Sequence, residues 1–181
     1  MGNVEILLPF MRQVTNGKLE KRSQPYELTG HALNRLHESS HEKIKALFPD
    51  WPPYETVKRI NRELEALWES PYAYGLLVVS GAVERLEKLG ITAKLTGPWQ
   101  DSYYAYLMGM TDREPQEGPA TWLDRPLQLQ TDDEQACREA LLLAAWKYGL
   151  YVRQSGPQDL LLLEPDLDTH PQAPVIRLLT A

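Results

Sequence analysis

Proline punctuates this chain. Fourteen prolines stand against eleven glycines in 181 residues. Each proline lacks the N–H that a helix or sheet ladder needs, so the chain must fold as short elements with stiff joints. The clearest joint is Phe48-Pro49-Asp50-Trp51-Pro52-Pro53. It stops a helix expected over His31 to Leu47, where Leu33, Leu36, Ile44 and Leu47 fall at roughly helical spacing. Residues 1–30 read as an irregular lead-in, with the Thr29 hydroxyl capping that helix. A second helix is expected from Tyr54 to Trp68. Its apolar stripe is Val57, Ile60, Leu64 and Leu67, and Lys58, Arg59, Arg62, Glu63 and Glu65 take the other face. Ser70-Pro71 breaks the chain again. A third helix runs from Tyr72 to Leu89, and Gly90 supplies its stop.

The second half mixes strands with helices. Ile91 to Leu95 alternates as a short strand, and Thr96-Gly97-Pro98 makes a turn. Gln100 to Met110 reads as a fourth helix, rich in tyrosine. Asp112 to Arg125 reads as a polar loop. Pro126 to Thr131 alternates strictly and predicts a half-buried strand. Asp132 to Tyr148 is a fifth helix with acids in its first turn, where the helix dipole favours them, and Gly149 ends it. Leu150 to Arg153, Leu160 to Leu163 and Val175 to Leu179 are expected strands. The pattern predicts an α+β domain with helices packed on a small mixed sheet.

Charge and cysteine content narrow the function classes. The net charge is −6, whereas a domain gripping a nucleic-acid backbone normally needs a basic stripe to neutralise phosphates. The densest basic stretch, Lys18 to Arg22, has Glu20 inside it. This counts against autonomous DNA binding. Cys137 is the only cysteine, which excludes an intrachain disulfide and a thiolate zinc knuckle and suits a reducing, cytoplasmic location. Cys137 itself reads as an inert helix residue. The start of the chain has an apolar run, Ile6 to Phe10, without a basic segment before it, and does not read as a signal peptide. No stretch approaches the roughly 18 apolar residues of a membrane span.

One literal motif is present: His37-Glu38-Ser39-Ser40-His41 matches H-E-x-x-H. Imidazoles four residues apart share a helix face, and can hold zinc with the intervening glutamate as general base. Glu63 stands where a third ligand would be supplied, and such a zinc would activate water for hydrolysis. The neighbours Arg35, Glu42 and Lys43 favour instead a solvated helix face. His31 and His170 read as surface residues. Glu164-Pro165-Asp166-Leu167-Asp168 reads as an exposed turn.

Several segments taken in order carry a resemblance. Residues 58–67 look like the "ERLE-x-EL-x-x-I" helix of the C-family DNA polymerases, the bacterial polymerase III alpha subunits. Tyr74-Gly75-Leu76-Leu77-Val78-Val79 is similar to that family's "YFLIV" run, and Val83, Leu86 and Gly90-Ile91 follow its "V-x-x-A-x-x-x-GI" pattern. Ser102 to Asp112, with Glu114-Pro115, resembles its "LVAYxLGIT-x-x-DP" helix. Ala140 to Gly149 is similar to its "VIEYVxxKYG" helix, and Leu33 to Pro53 resembles its lead segment. The resemblance covers about residues 30–153. It implies a truncated, nucleotidyltransferase-like polymerase palm over residues 31–153, with residues 154–181 as a C-terminal extension packed on the same domain.

The departures from the family are chemical. Its glycine-serine loop "GRGSxxGS" holds the incoming triphosphate. Aligned from Ser102, the loop here is Leu95 to Asp101: Thr96 stands at the arginine, Pro98 at the serine, and Asp101 adds negative charge. Only Gly97 and Ser102 remain as a remnant nucleotide site. The family's paired metal-binding aspartates fall on Leu127 and Leu129, or in the register shifted by one on Gln128 and Gln130. Neither pair can hold magnesium. Asp132 and Asp133 belong to the next helix, and the resemblance puts the third aspartate beyond Ala181. It therefore implies a non-catalytic relative, with no cofactor expected, that binds a protein partner of the replication or repair machinery. Residual nucleotide or nucleic-acid binding with magnesium, and the zinc hydrolase, are the alternatives; self-association is compatible with either. Trp99, Tyr103, Tyr104 and Tyr106 suggest either a base-stacking platform or packing, and their mixed helix phases favour packing. Trp51, Trp68, Trp122 and Trp146 read as core or joint fillers, an exposed subset marking a protein interface.

Overall fold

The computed structural model describes residues 19–163 and 173–181, leaving aside the side chains of residues 19–29 and 69. Helix α1 (Leu19–Leu47) turns at the proline joint into α2 (Tyr54–Ala66), which tightens into a 3₁₀ turn (Leu67–Glu69). Helix α3 (Tyr72–Lys88) is buried on every side from Tyr72 to Val79, as its continuous apolar run requires. Strand β1 (Ala93–Thr96), a 3₁₀ segment (Gly97–Asp101) and the short α4 (Tyr103–Leu107) follow. Then come β2 (Leu127–Thr131), α5 (Glu134–Lys147), β3 (Tyr151–Gln154), β4 (Asp159–Leu163) and β5 (Val175–Thr180).

The five strands form one mixed sheet in the order β1-β2-β5-β4-β3. Only β2 and β5 run parallel, Leu127 facing Ile176 and Leu129 facing Leu178; the other pairs are antiparallel. Alternation sorts the faces. Leu95, Leu127, Leu129, Leu160, Leu162, Ile176 and Leu178 are buried on the side that α3 and α5 cover. Gly75 of α3 lies so close to β2 that a Cβ there would meet Leu127 Cδ1 at 3.1 Å. The other face carries Thr96, Gln128, Arg177 and Asp159 in register across four strands. The Arg177 guanidinium donates to both Asp159 oxygens, at 2.8 and 3.2 Å.

Helix ends follow local chemistry. Asp133 caps α5 by accepting from Ala136 N–H at 3.0 Å, so the acids after β2 serve the helix start. Gly90 and Gly149 take positive φ, 74° and 73°, and the next residue's N–H reaches back five residues, Ile91 to Leu86 and Leu150 to Ala145, both at 2.9 Å.

The expected α+β arrangement, with helices on a small mixed sheet, is what the structure has. Four finer expectations need correction. The first helix starts at Leu19, inside the segment expected to be an irregular lead-in, so Thr29 lies within the helix rather than at its start. Pro25 and Gly30 are absorbed because a long helix loses one hydrogen bond, not its cooperativity. The boundary at residue 153 is not a break either: residues 154–181 hold β4 and β5, and β5 lies between β2 and β4. Gln100 to Met110 is not one helix, since Ser102 is extended (φ −75°, ψ 120°) and restarts the chain as α4. Trp51 and Trp146 are not core fillers but 85% and 79% exposed. Residues 1–18, the Glu164–Asp168 turn and His170 lie outside the described residues. No described helix is long and apolar enough to cross a membrane.

A central β5 makes the last strand indispensable. Leu178→Ala is expected to lower unfolding free energy by about 2–5 kcal/mol in urea titrations, the usual cost of emptying a buried leucine site. A chain ending at residue 173 is expected to show no cooperative melting transition by circular dichroism. A sharp transition in that truncated chain would contradict the topology.

Candidate functional site

The remnant loop and its surroundings converge on one carboxylate. Glu63 projects from α2 beside the buried Ile60 and Leu64 and meets the start of α4. It accepts from Ser102 Oγ at 2.5 Å and from Tyr103 N–H at 2.6 Å. The Tyr104 N–H, 3.4 Å from both oxygens, adds a weaker contact. Ser102 is fully buried and its Oγ also accepts from Ala105 N–H at 3.1 Å. Ser102 is thus the N-cap of α4, and Glu63 takes the free N–H groups that the helix start presents. Burial pushes the Glu63 carboxyl up to about 6, against the pull of Ser102, the two backbone N–H groups and Arg59.

A cleft of about 600 Å³ opens beside this carboxylate, between α2 and the 112–125 loop. The loop is strapped down by side chains from α2. Arg59 donates to Pro115 O, lies 3.7 Å from Glu114 and stacks 4.3 Å over the Tyr103 ring. Arg62 donates to Glu117 at 2.8 Å. At its far end the loop is anchored by Trp122, edge-on to Trp99 with ring centroids 4.7 Å apart. Trp99 Nε1 donates to Arg125 O at 2.7 Å, and Ser70 Oγ to Leu123 O at 3.0 Å. Within this polar loop Trp122, read from the sequence as a core or joint filler, is a buried indole.

Gly97 bends the chain with φ +67°. A Cβ there would meet Gln128 Oε1 at 2.7 Å, so the Gln128 side chain fills the space over the remnant glycine. Pro98 contributes no donor, and Trp99 points into the core with no exposed surface. Leu127 and Leu129 are core residues, while Gln128 and Gln130 face the open side of the sheet. In either register the strand carries no carboxylate. Tyr103 and Tyr104 are buried as well, and Tyr104 Oη is 2.8 Å from Ser39 Oγ. Trp99, Tyr103 and Tyr104 pack the interior, and Tyr106 is partly buried against the same core.

The H-E-x-x-H residues lie on α1. Ser39 bonds Tyr104, and Ser40 is buried with its Oγ donating to His37 O at 2.9 Å. His37 is half-buried and His41 exposed, their rings stacked with centroids 5.9 Å apart. Burial, and then the neighbouring His41, hold His37 below its ordinary value. Glu63, read as a third ligand, is committed to α4 instead. Among the described residues no three His, Cys, Asp or Glu side chains gather as a metal site. Cys137 is buried in α5, and desolvation pushes its thiol up to about 12; a protonated, enclosed thiol is inert.

Sequence reasoning named Glu63 but missed its partner. The clue present was an acid adjoining the apolar stripe of α2; its contacts lie about forty residues away. No protein-family model matches the chain, and no curated protein matches it.

Two outcomes test this site. The folded Glu63 carboxyl holds its proton more tightly than the unfolded one, whose ordinary value is 4.5. Its contribution to stability is therefore full below pH 4.5 and is lost as pH rises through 6. That loss is up to about 2 kcal/mol, less whatever the water in the adjoining cleft screens. The difference between wild type and Glu63→Gln in urea titrations should show that slope, cancelling the histidine contributions common to both. A flat difference from pH 4.5 to 7 would mean the carboxylate is solvated. Separately, purified protein is expected to hold no stoichiometric zinc by atomic emission; one zinc per chain that disappears in His37→Ala would restore the hydrolase reading.

Proposed function

We propose that this chain is a non-catalytic relative of the C-family polymerase palm that serves as a protein-binding module. The finer fold assignment, a truncated nucleotidyltransferase-like palm, belongs to the same reading. The observation that carries it is Glu63. A helix start that would face a triphosphate in the family is filled here by the protein's own carboxylate, and a second anion there would meet repulsion as well as occupied donors. Gln128 over Gly97 and the buried Trp99 support the same reading, and no carboxylate of β2 is available to hold magnesium.

What such a scaffold offers is surface. The α1–α2 corner exposes Leu47, Phe48, Trp51 and Tyr54 together, and clustered aromatic residues of this kind are enriched where proteins meet. A partner from the replication or repair machinery, in the cytoplasm, follows from the resemblance. The net charge of −6 argues for a protein partner over free nucleic acid.

The test is direct. Nucleoside triphosphates with magnesium are expected to leave the melting temperature unchanged, and a primed template is expected not to be extended. A magnesium-dependent rise in melting temperature that is lost in a Gly97→Val variant would establish a working nucleotide site and overturn the proposal.

A further inference from the structure

The 112–125 loop is fastened at both ends and barely in the middle. At its start Lys94 pairs with Asp112 at 3.2 Å, Arg59 holds Glu114 and the Pro115 carbonyl, and Pro115 is buried. At its end Trp122 is buried, and the carbonyls of Leu123 and Arg125 are tied to Ser70 and Trp99. The span between, residues 116–121, has neither helix nor strand. Gln116, Glu117, Gly118, Pro119 and Thr121 are exposed, and Ala120 packs partly on the core. The Thr121 N–H turns back onto Pro119 O, inside the span, at 2.9 Å. A Cβ on Gly118 would meet nothing within 4 Å, so the middle of the span stands in open space. Among the described residues a single hydrogen bond joins the span to the body, from Arg62 to Glu117 at 2.8 Å. The same span walls one side of the cleft, with Arg62, Glu63 and Tyr103 on the other.

We propose that residues 116–121 are a lid on this cleft, moving between fixed posts at Pro115 and Trp122 and latched shut by the Arg62–Glu117 pair. Opening lets water reach the Glu63 carboxylate and the Tyr103 N–H that it holds. Both latch side chains are more than half exposed, 57% and 60%. A pair in that much water favours the closed span by about fivefold at most. Salt screens such an exposed pair and leaves buried contacts intact. Arg59 is different: its side chain is 20% exposed and stacked on the Tyr103 ring, so the post at Pro115 is shielded where the latch is not. The lid is therefore an ionic switch, in which ionic strength moves the span and leaves its ends in place. Pro115 and Pro119 fix φ at their own positions, which leaves the bending to Gln116, Glu117 and Gly118.

Nuclear magnetic resonance of the isotope-labelled full chain, with a neutral gadolinium chelate in solution, gives the test, because the chelate speeds relaxation of the amides that it can approach. At low salt the enhancement at the Tyr103 amide is expected to be about two- to fivefold larger in Arg62→Ala than in wild type, with the Leu129 amide of β2 unchanged. Raising salt from about 0.02 M to about 0.5 M should increase the Tyr103 enhancement in wild type and leave Arg62→Ala as it was. Lys94→Ala, which frees only the start of the loop, should match wild type. Equal enhancement at Tyr103 in wild type and Arg62→Ala at low salt overturns the lid. So does a rise in Lys94→Ala as large as that in Arg62→Ala, or a rise shared by Leu129, which would mean that the whole fold has loosened.

Discussion

The parallel ladder between β2 and β5 is the joint on which the sheet depends. On one side of it β2 carries β1; on the other β5 carries β4 and β3. Alone, β1 with β2 is a two-stranded ribbon, which is marginal in water, and β5 with β4 and β3 is a three-stranded sheet that lacks β2's share of the apolar face. Their union lets Leu127, Leu129, Ile176 and Leu178 form one buried surface for α3 and α5. Gly75 is small because that surface comes within contact distance of the helix backbone. The position of α3, and through it of α1 and α2, follows from this joint.

On that frame the candidate site is organised by satisfied polar groups rather than by vacant ones. Glu63 answers the donors at the start of α4, Ser102 answers both Glu63 and Ala105, and Arg59 and Arg62 answer the 112–125 loop. A network so closed stabilises its own geometry. It leaves few unpaired donors to aim at a ligand, which is why the exposed apolar surfaces, rather than the cleft, carry the functional argument.

Periodicity made much of the fold legible. The strict alternation of Pro126 to Thr131 predicted a half-buried strand, and the span from Tyr72 to Leu89 was legible as the helix α3. Punctuation misled at the ends. Pro25 and Gly30 hid the first turns of α1, and Ser102 was read as mid-helix when it is an N-cap. The last strand looked like an appendage because sequence order says nothing of spatial order across a parallel pairing. Burial of single aromatics was also illegible: Trp99 and Trp146 are the same side chain, and only the packing around each distinguishes them. Glu63 was read as one of the charges on the polar face of α2 and as a possible third zinc ligand, while its partner came from a segment that no local pattern connects to it.

The α1–α2 corner has a property that its exposure alone does not convey. Phe48 and Trp51 each directly precede a proline, and a residue in that place is held to extended backbone conformations by the ring that follows. The two aromatic side chains therefore stand on a backbone with little freedom left to lose. Ordering a loop on contact ordinarily costs conformational entropy. Here most of that loss has already been taken during folding, so surface that would be unfavourable to expose on a mobile loop is presented in a fixed shape.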